Sequence, residues 1–381
     1  MGRQADLPAG HWGLTLDDYP DGTVIPGLIN LHTHLEYAHV RRGVGPLHDW
    51  ILRLMGVTQD WTMADRIDSA TTAIRQSLAT GVTCIADTSP SGASLIAARR
   101  TGLRGIFYQE AFGLDDGEAA IQRLTARLDE LSGACSPLQR LGVSPHAPYT
   151  VSLRLWRKLI DLAAQRQMPL STHLAESPAE IAWFAGRPSD IPAFHAKLGL
   201  KPYQPPAGHP VHVLHDAGLL TPGLLAAHCV HTGPTERRLL VETDVIAVHC
   251  PLSNAGLACG TADVAAWDAD GLRWGLGTDS PASSGNLDLW AECRQPSTGA
   301  LGWDETRWLR HLTLDAARHL GMADAIGSLT PGKWADLVVL QPPLGSGAGP
   351  MALSEQAVAC ILIAGSDPLA RLACTQDDQS P

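Results

Sequence analysis

Apolar residues alternate along this chain between two patterns. Short, nearly continuous apolar runs occupy 23–34 (TVIPGLINLHTH), 82–89 (VTCIADTS), 104–113 (RGIFYQEAFG) and 139–148 (QRLGVSPHAP). Four more follow at 168–176 (MPLSTHLAE), 224–231 (LLAAHCVH), 244–251 (DVIAVHCP) and 272–280 (LRWGLGTDS). Between them lie segments such as GEAAIQRLTARLDELSG, whose apolar residues recur at helical spacing. Strands that are apolar on both faces and alternate with helices predict a parallel sheet covered on both sides. Eight such units over about 250 residues predict an α/β fold of the (β/α)₈ type. The long Pro-, Gly- and His-rich stretch 187–223 reads as an insertion in the fifth βα unit, over the barrel mouth. After 321 the pattern shortens, and GSLTPGKWADLVVLQ and AVACILIAGS read as strands of a small β appendage. The expected organisation is an N-terminal appendage segment at 1–23, a barrel at 24–322, and a C-terminal appendage with a frayed tail at 323–381.

Composition narrows the partners. Of 381 residues 45% are apolar, enough for a large core, and 28 Lys and Arg against 39 Asp and Glu give a net charge of −11. That balance argues against nucleic acid and anionic membranes as partners. It leaves room for a small molecule held by one local arginine. Eight cysteines are scattered without a CxxC, most of them in strand-like contexts (Cys84, Cys229, Cys250, Cys360), as reduced buried thiols would be. The N-terminus has no apolar core of signal-peptide length, and no run of about 18 apolar residues suggests a span. A cytoplasmic protein is expected, and a homodimer is compatible with this reading.

The chemistry is concentrated at the strand ends. Active sites of such barrels lie at the C-terminal face of the strands. Ionisable groups end six of the eight runs: His32 and His34, then His146, His173 with Glu176, His228, His249 and Asp279. Residues i and i+2 of a strand share a face, so His32 and His34 both point into the barrel mouth and can grip one ion. Three imidazoles and one carboxylate suit a divalent ion such as Zn²⁺, with Fe²⁺ as the alternative. With a position left for water, such an ion lowers that water's pKa, and a nearby carboxylate can shuttle protons. Other chemistries lack their motifs. HLE at 34–36 copies half of the cytidine-deaminase signature, but no PCxxC follows, and there is no HExxH, no GxSxG and no phosphate loop in context.

As an ordered set, PGLINLHTHLE, GVSPHAPYTVS, THLAES, AAHCVH, VHCPLSN and GLGTDSPASSGNLDLWAE resemble the amidohydrolase superfamily, in its chlorohydrolase and nucleobase-deaminase branch. The resemblance runs from about 24 to 340. It implies a barrel with a small β-sandwich; only 31 residues precede His32, so either the N-terminal half of that sandwich is reduced or the gene start is misplaced. It also implies that His32, His34, His173 and Asp279 bind one metal, that Glu176 is the proton shuttle, that His228 hydrogen-bonds the metal-bound water and polarises the reacting centre, and that Asp279 joins Glu176 in passing the proton to the leaving group. Strand four carries His146 and no lysine, which favours a mononuclear site.

Within the branch, HTHLEYAHVRRG followed by HDWILRLM resembles the group that includes the aminodeoxyfutalosine deaminases of menaquinone biosynthesis. This implies deamination of an adenine nucleoside, 6-amino-6-deoxyfutalosine first among them. Arg41 and Arg42 would meet its carboxylate, and Glu36, His146 and His249 would complete the substrate site. The competing readings are deamination of S-adenosylhomocysteine, methylthioadenosine, adenosine or another amino-heterocycle, and dechlorination. A catalytically silent scaffold would have no use for Glu176 and His228.

Overall fold

The computed structural model describes Tyr19 and residues 22–299, 301–302, 304–341 and 357–368. Eight parallel strands form the centre. They are β2 (Leu28–Thr33), β3 (Val82–Ser89), β4 (Arg104–Ala111), β5 (Gln139–Pro145), β6 (Ser171–Leu174), β7 (Leu225–His228), β8 (Ile246–His249) and β9 (Arg273–Leu276). β2 to β5 form one four-stranded ladder and β6 to β9 the other. Two narrow seams close the ring. At one, Val143 bridges Leu170 and the His173 N–H donates to the His146 carbonyl at 2.9 Å. At the other, Thr33 bridges Asp279, whose N–H donates to the His32 carbonyl at 2.9 Å. The backbones of the candidate metal-site residues therefore stitch the barrel shut.

Helices cover the outside, as the periodicity predicts. In the helix Glu118–Ser132 the buried residues Ala120, Leu124, Leu128 and Leu131 fall on one stripe. They join a core with Ile74, Leu78, Leu159, Ile85, Phe107, Ala226 and Ala247. The fifth βα unit carries three short helices, Pro178–Phe184, Ile191–Lys197 and Pro210–Asp216. Phe194, Leu198 and Leu200 of this insertion reach the cavity at the strand ends.

Two expectations change. The run 23–34 is two strands, because the chain changes sheet at Gly27. There the Gly27 N–H donates to the Asp336 carbonyl and the next, Leu28 N–H, to the Gly81 carbonyl. A Cβ at position 27 would lie 2.0 Å from the Thr83 hydroxyl, so only glycine passes. Its first half, β1 (Thr23–Pro26), pairs antiparallel with β10 (Leu337–Gln341), which pairs antiparallel with β11 (Ala357–Leu362). This three-stranded sheet is the appendage. Most of the N-terminal segment 1–23 and the tail after 368 lie outside the described residues. The runs 168–176, 224–231 and 272–280 also shrink to four-residue strands. Ala175, His228, Cys229 and Asp279 have positive φ (50°, 75°, 44° and 58°), which ends the pleat and turns the following residues into the mouth.

Arg104 at the foot of β4 ties the barrel to the appendage. Its Nη2 donates to Asp336 Oδ1 at 2.9 Å, its Nε contacts Oδ2, and Oδ1 also accepts from the Ala364 N–H at 2.8 Å. Both side chains are buried. Asp336→Ala would leave a buried guanidinium without its counter-charge. The expected loss is about 3–5 kcal/mol in urea unfolding, and a loss below about 1 kcal/mol would show that water enters the joint.

Candidate active site

The strand ends bring His32, His34, His173, His228, Glu176 and Asp279 together. Asp279 Oδ1 lies 3.5 Å from both His32 Nε2 and His34 Nε2. His34 Nε2 lies 3.2 Å from His173 Nε2, and His228 Nε2 lies 3.5 Å from Glu176 Oε1. Each group is aimed by a second bond. The His173 Nδ1–H donates to the His146 carbonyl at 2.8 Å, which leaves Nε2 as a lone-pair donor. The His228 Nδ1–H donates to Asn254 Oδ1 at 2.8 Å, with the same effect. Asp279 Oδ2 accepts from Ser253 Oγ at 2.5 Å and Ser283 Oγ at 3.2 Å, so Oδ1 is free to face the imidazoles. Glu180, fully buried, accepts the Ala175 and Glu176 N–H groups at 3.2 and 2.8 Å and holds the Glu176 loop.

The donor set fits a cation. The Nε2 atoms of His32 and His228 are buried without a hydrogen-bond partner among the described residues. Two ligand groups of three, His32–His173–His228 and His32–His34–Asp279, each fall within 4.8 Å. Burial and the neighbouring His32 push His34 down to about 3, and burial with His146 and other rings holds His173 well below its usual range. These rings are neutral lone-pair donors at neutral pH. Burial alone would raise Asp279, but His32, whose Nε2 lies 3.5 Å away, and the surrounding imidazoles hold it well below the usual carboxylate range. Burial and Asp279 push Glu176 up to about 8, so it can carry a proton. A third group, Glu110–His146–His173, cannot hold an ion of its own. His173 has a single free nitrogen, already turned to the first cluster.

Beside this cluster opens a cavity of about 580 Å³. Leu47, Trp50, Leu54, Phe112, Phe194 and Leu257 form its apolar wall, and His146, Glu110 and Tyr149 add polar groups. Four residues expected at the substrate do not line it. Arg41 and Arg42 are exposed, and Arg42 Nε donates to the Ser283 carbonyl at 3.2 Å. Glu36 accepts from Ser89 Oγ and Ser91 Oγ and lies 3.6 Å from Arg66 Nη1. His249 donates or accepts at Ser297 Oγ, 2.9 Å away, with its ring against Trp267. It sits with Ala247 on the helix-facing side of β8.

The chain is similar to known enzymes along most of its length. Over 359 residues the chain is 32% identical to the 5-methylthioadenosine/S-adenosylhomocysteine deaminase of Moorella thermoacetica, covering 89% of this chain and 78% of the relative. The protein of the same name from Syntrophobacter fumaroxidans is 33% identical, with 83% and 72% covered. Among solved structures, a zinc-bound adenosine deaminase from Xanthomonas campestris superposes with a TM-score of 0.76 at 27% identity, covering 94% and 85%. The Helicobacter pylori aminofutalosine deaminase superposes at 0.79 with 20% identity, covering 91% and 87%, a likeness of fold. Residues 23–365 match the amidohydrolase family across barrel and appendage alike. The chain belongs to the amidohydrolase family and is a metal-dependent hydrolase of C–N bonds.

Proposed function

We propose that this protein is a hydrolytic deaminase of 5′-substituted adenine nucleosides, converting the 6-amino purine and water into the 6-oxo purine and ammonia. The observation that carries the reading is the gathering of His32, His34, His173 and Asp279 beside Glu176 and His228, at the mouth of a largely apolar cavity of nucleoside size. His32, His34, His173 and Asp279 would hold one divalent ion, zinc by the chemistry of the donors. The ion, when bound, supplies Lewis acidity and lowers the pKa of a water. The chain supplies the proton traffic. Glu176 takes a proton from the attacking water and delivers it to N1 of the ring. His228, its Nδ1–H fixed on Asn254, presents Nε2 to the reacting centre as an acceptor. Asp279 and Glu176 pass the proton with which the amine leaves as ammonia.

The 5′ group is read from the wall. Arg41 and Arg42 stay outside the cavity, and Arg66, which lines it, already faces Glu36 at 3.6 Å and donates to the Thr58 carbonyl, which weakens the case for an aryl carboxylate there. The apolar wall suits a thioether, and the relatives above 30% identity are named for methylthioadenosine and S-adenosylhomocysteine. Those two nucleosides therefore lead the ranking and 6-amino-6-deoxyfutalosine follows, with menaquinone biosynthesis as the reading tied to it. Rates of ammonia release from the three, with adenosine as reference, test this. Methylthioadenosine should exceed adenosine in kcat/KM by about tenfold or more, the scale of a few buried apolar atoms. A preference for the aryl nucleoside would restore the futalosine reading.

A further inference from the structure

His34 stands where two demands fall on one side chain. It is the N-cap of the 3₁₀ turn Leu35–Tyr37, and its imidazole is turned into the cluster, 3.2 Å from His173 and 3.5 Å from Asp279. An N-cap residue ordinarily satisfies the first free N–H groups of its turn with its own side chain. His34 makes no such bond with the described residues. Leu35 is fully buried, so its N–H still needs an acceptor.

Asp87 supplies that acceptor from the neighbouring strand. Its Oδ1 takes the Leu35 N–H at 2.8 Å and the Thr33 hydroxyl at 2.9 Å. Those two residues flank His34, so one oxygen pins the chain on both sides of a candidate metal ligand. Asp87 and Thr33 are partners in the β2–β3 ladder, and both are fully buried. Strand alternation turns Thr33 away from the mouth that His32 and His34 face, so Asp87 braces the ligand strand from behind. The same device recurs around the ring. Glu180 accepts the Ala175 and Glu176 N–H groups after β6. Glu292 accepts the Leu252 N–H at 2.9 Å, in the turn that carries Ser253 and Asn254. All three carboxylates are fully buried, and each bonds the backbone of a turn that sends side chains toward the cluster.

We propose that Asp87 is a positioning residue for the metal site: through Thr33 and Leu35 it fixes the backbone at His34, so that the imidazole is already in place when an ion arrives. The inference rests on the metal-site reading above. Zinc affinity of metal-free protein, measured by competition with a chromophoric chelator, tests it without turnover. Wild type, Asp87→Ala, Asp87→Asn and Thr33→Val are compared, with urea unfolding of each. Asp87→Ala should weaken zinc binding by about 10- to 100-fold, the scale for a residue that orients a ligand. Asp87→Asn keeps an oxygen for both donors and should stay within about threefold of wild type. Thr33→Val removes one of the two bonds and leaves the other, so its zinc affinity should fall between those of the two Asp87 variants. A folded Asp87→Ala with wild-type zinc affinity would overturn the proposal, whatever its loss of stability. So would equal losses in Asp87→Ala and Asp87→Asn, since the buried charge would then matter and the placed oxygen would not. If Asp87→Ala does not fold, Thr33→Val carries the test, and unchanged zinc affinity there would overturn the proposal. A wild type that binds no zinc would instead remove the metal-site reading, and this inference with it.

Discussion

Glu176→Gln is expected to keep its metal and lose turnover by at least 10²-fold and up to about 10⁴-fold, the range for a positioned acid–base group. The amide preserves the shape of the carboxylate and its place 3.5 Å from His228, while it can neither take the proton from water nor give one to the ring. The loop should not move, since Glu180 holds it through the Ala175 and Glu176 N–H groups. The loss should therefore fall on kcat, with KM little changed. Steady-state ammonia release and elemental analysis on the same preparation check this. A variant with full metal and more than about a tenth of the wild-type rate would show that Asp279 moves the protons alone.

His32→Ala is expected to abolish both metal binding and activity. His32 is common to both ligand groups of the candidate metal cluster, and its Nε2 has no hydrogen-bond partner among the described residues. Removing it would leave an ion with three protein ligands, which hold it less well. The His32 carbonyl still accepts the Asp279 and Thr278 N–H groups, so the seam between β9 and β2 should survive. Circular dichroism should match the wild type while zinc content falls below about a tenth of an equivalent. A folded variant that retains its zinc would move the site to the remaining imidazoles.

The gathering of the candidate metal ligands was legible in the sequence because its geometry is local. His32 and His34 share a face through strand alternation, and the other ligands sit where the barrel ends its strands. The substrate side was less legible, for separate reasons. His249 lies in a strand apolar on both faces, so the pattern does not say which parity faces the axis, and the structure turns it toward Trp267. Glu36 continues the i, i+2 spacing of His32 and His34, but the chain enters a 3₁₀ turn at Leu35–Tyr37 and the alternation stops. Arg41 and Arg42 sit on an exposed loop whose course no periodicity describes. Glu110, which lines the cavity, did leave a signal, a carboxylate near the end of a strand buried along its whole length. Ser253 and Asn254 stand in VHCPLSN, yet their work on Asp279 and His228 depends on contacts across 26 residues that spacing cannot show.

The central claim is that one divalent ion, held by His32, His34, His173 and Asp279, makes this protein a nucleoside deaminase. Titration of metal-free protein with Zn²⁺, followed by ammonia release from methylthioadenosine, tests it most directly. The rate should rise in proportion to added metal and break at one ion per chain, with metal-free protein inactive. A break at two ions, or no ammonia from any adenine nucleoside at full occupancy, would contradict it.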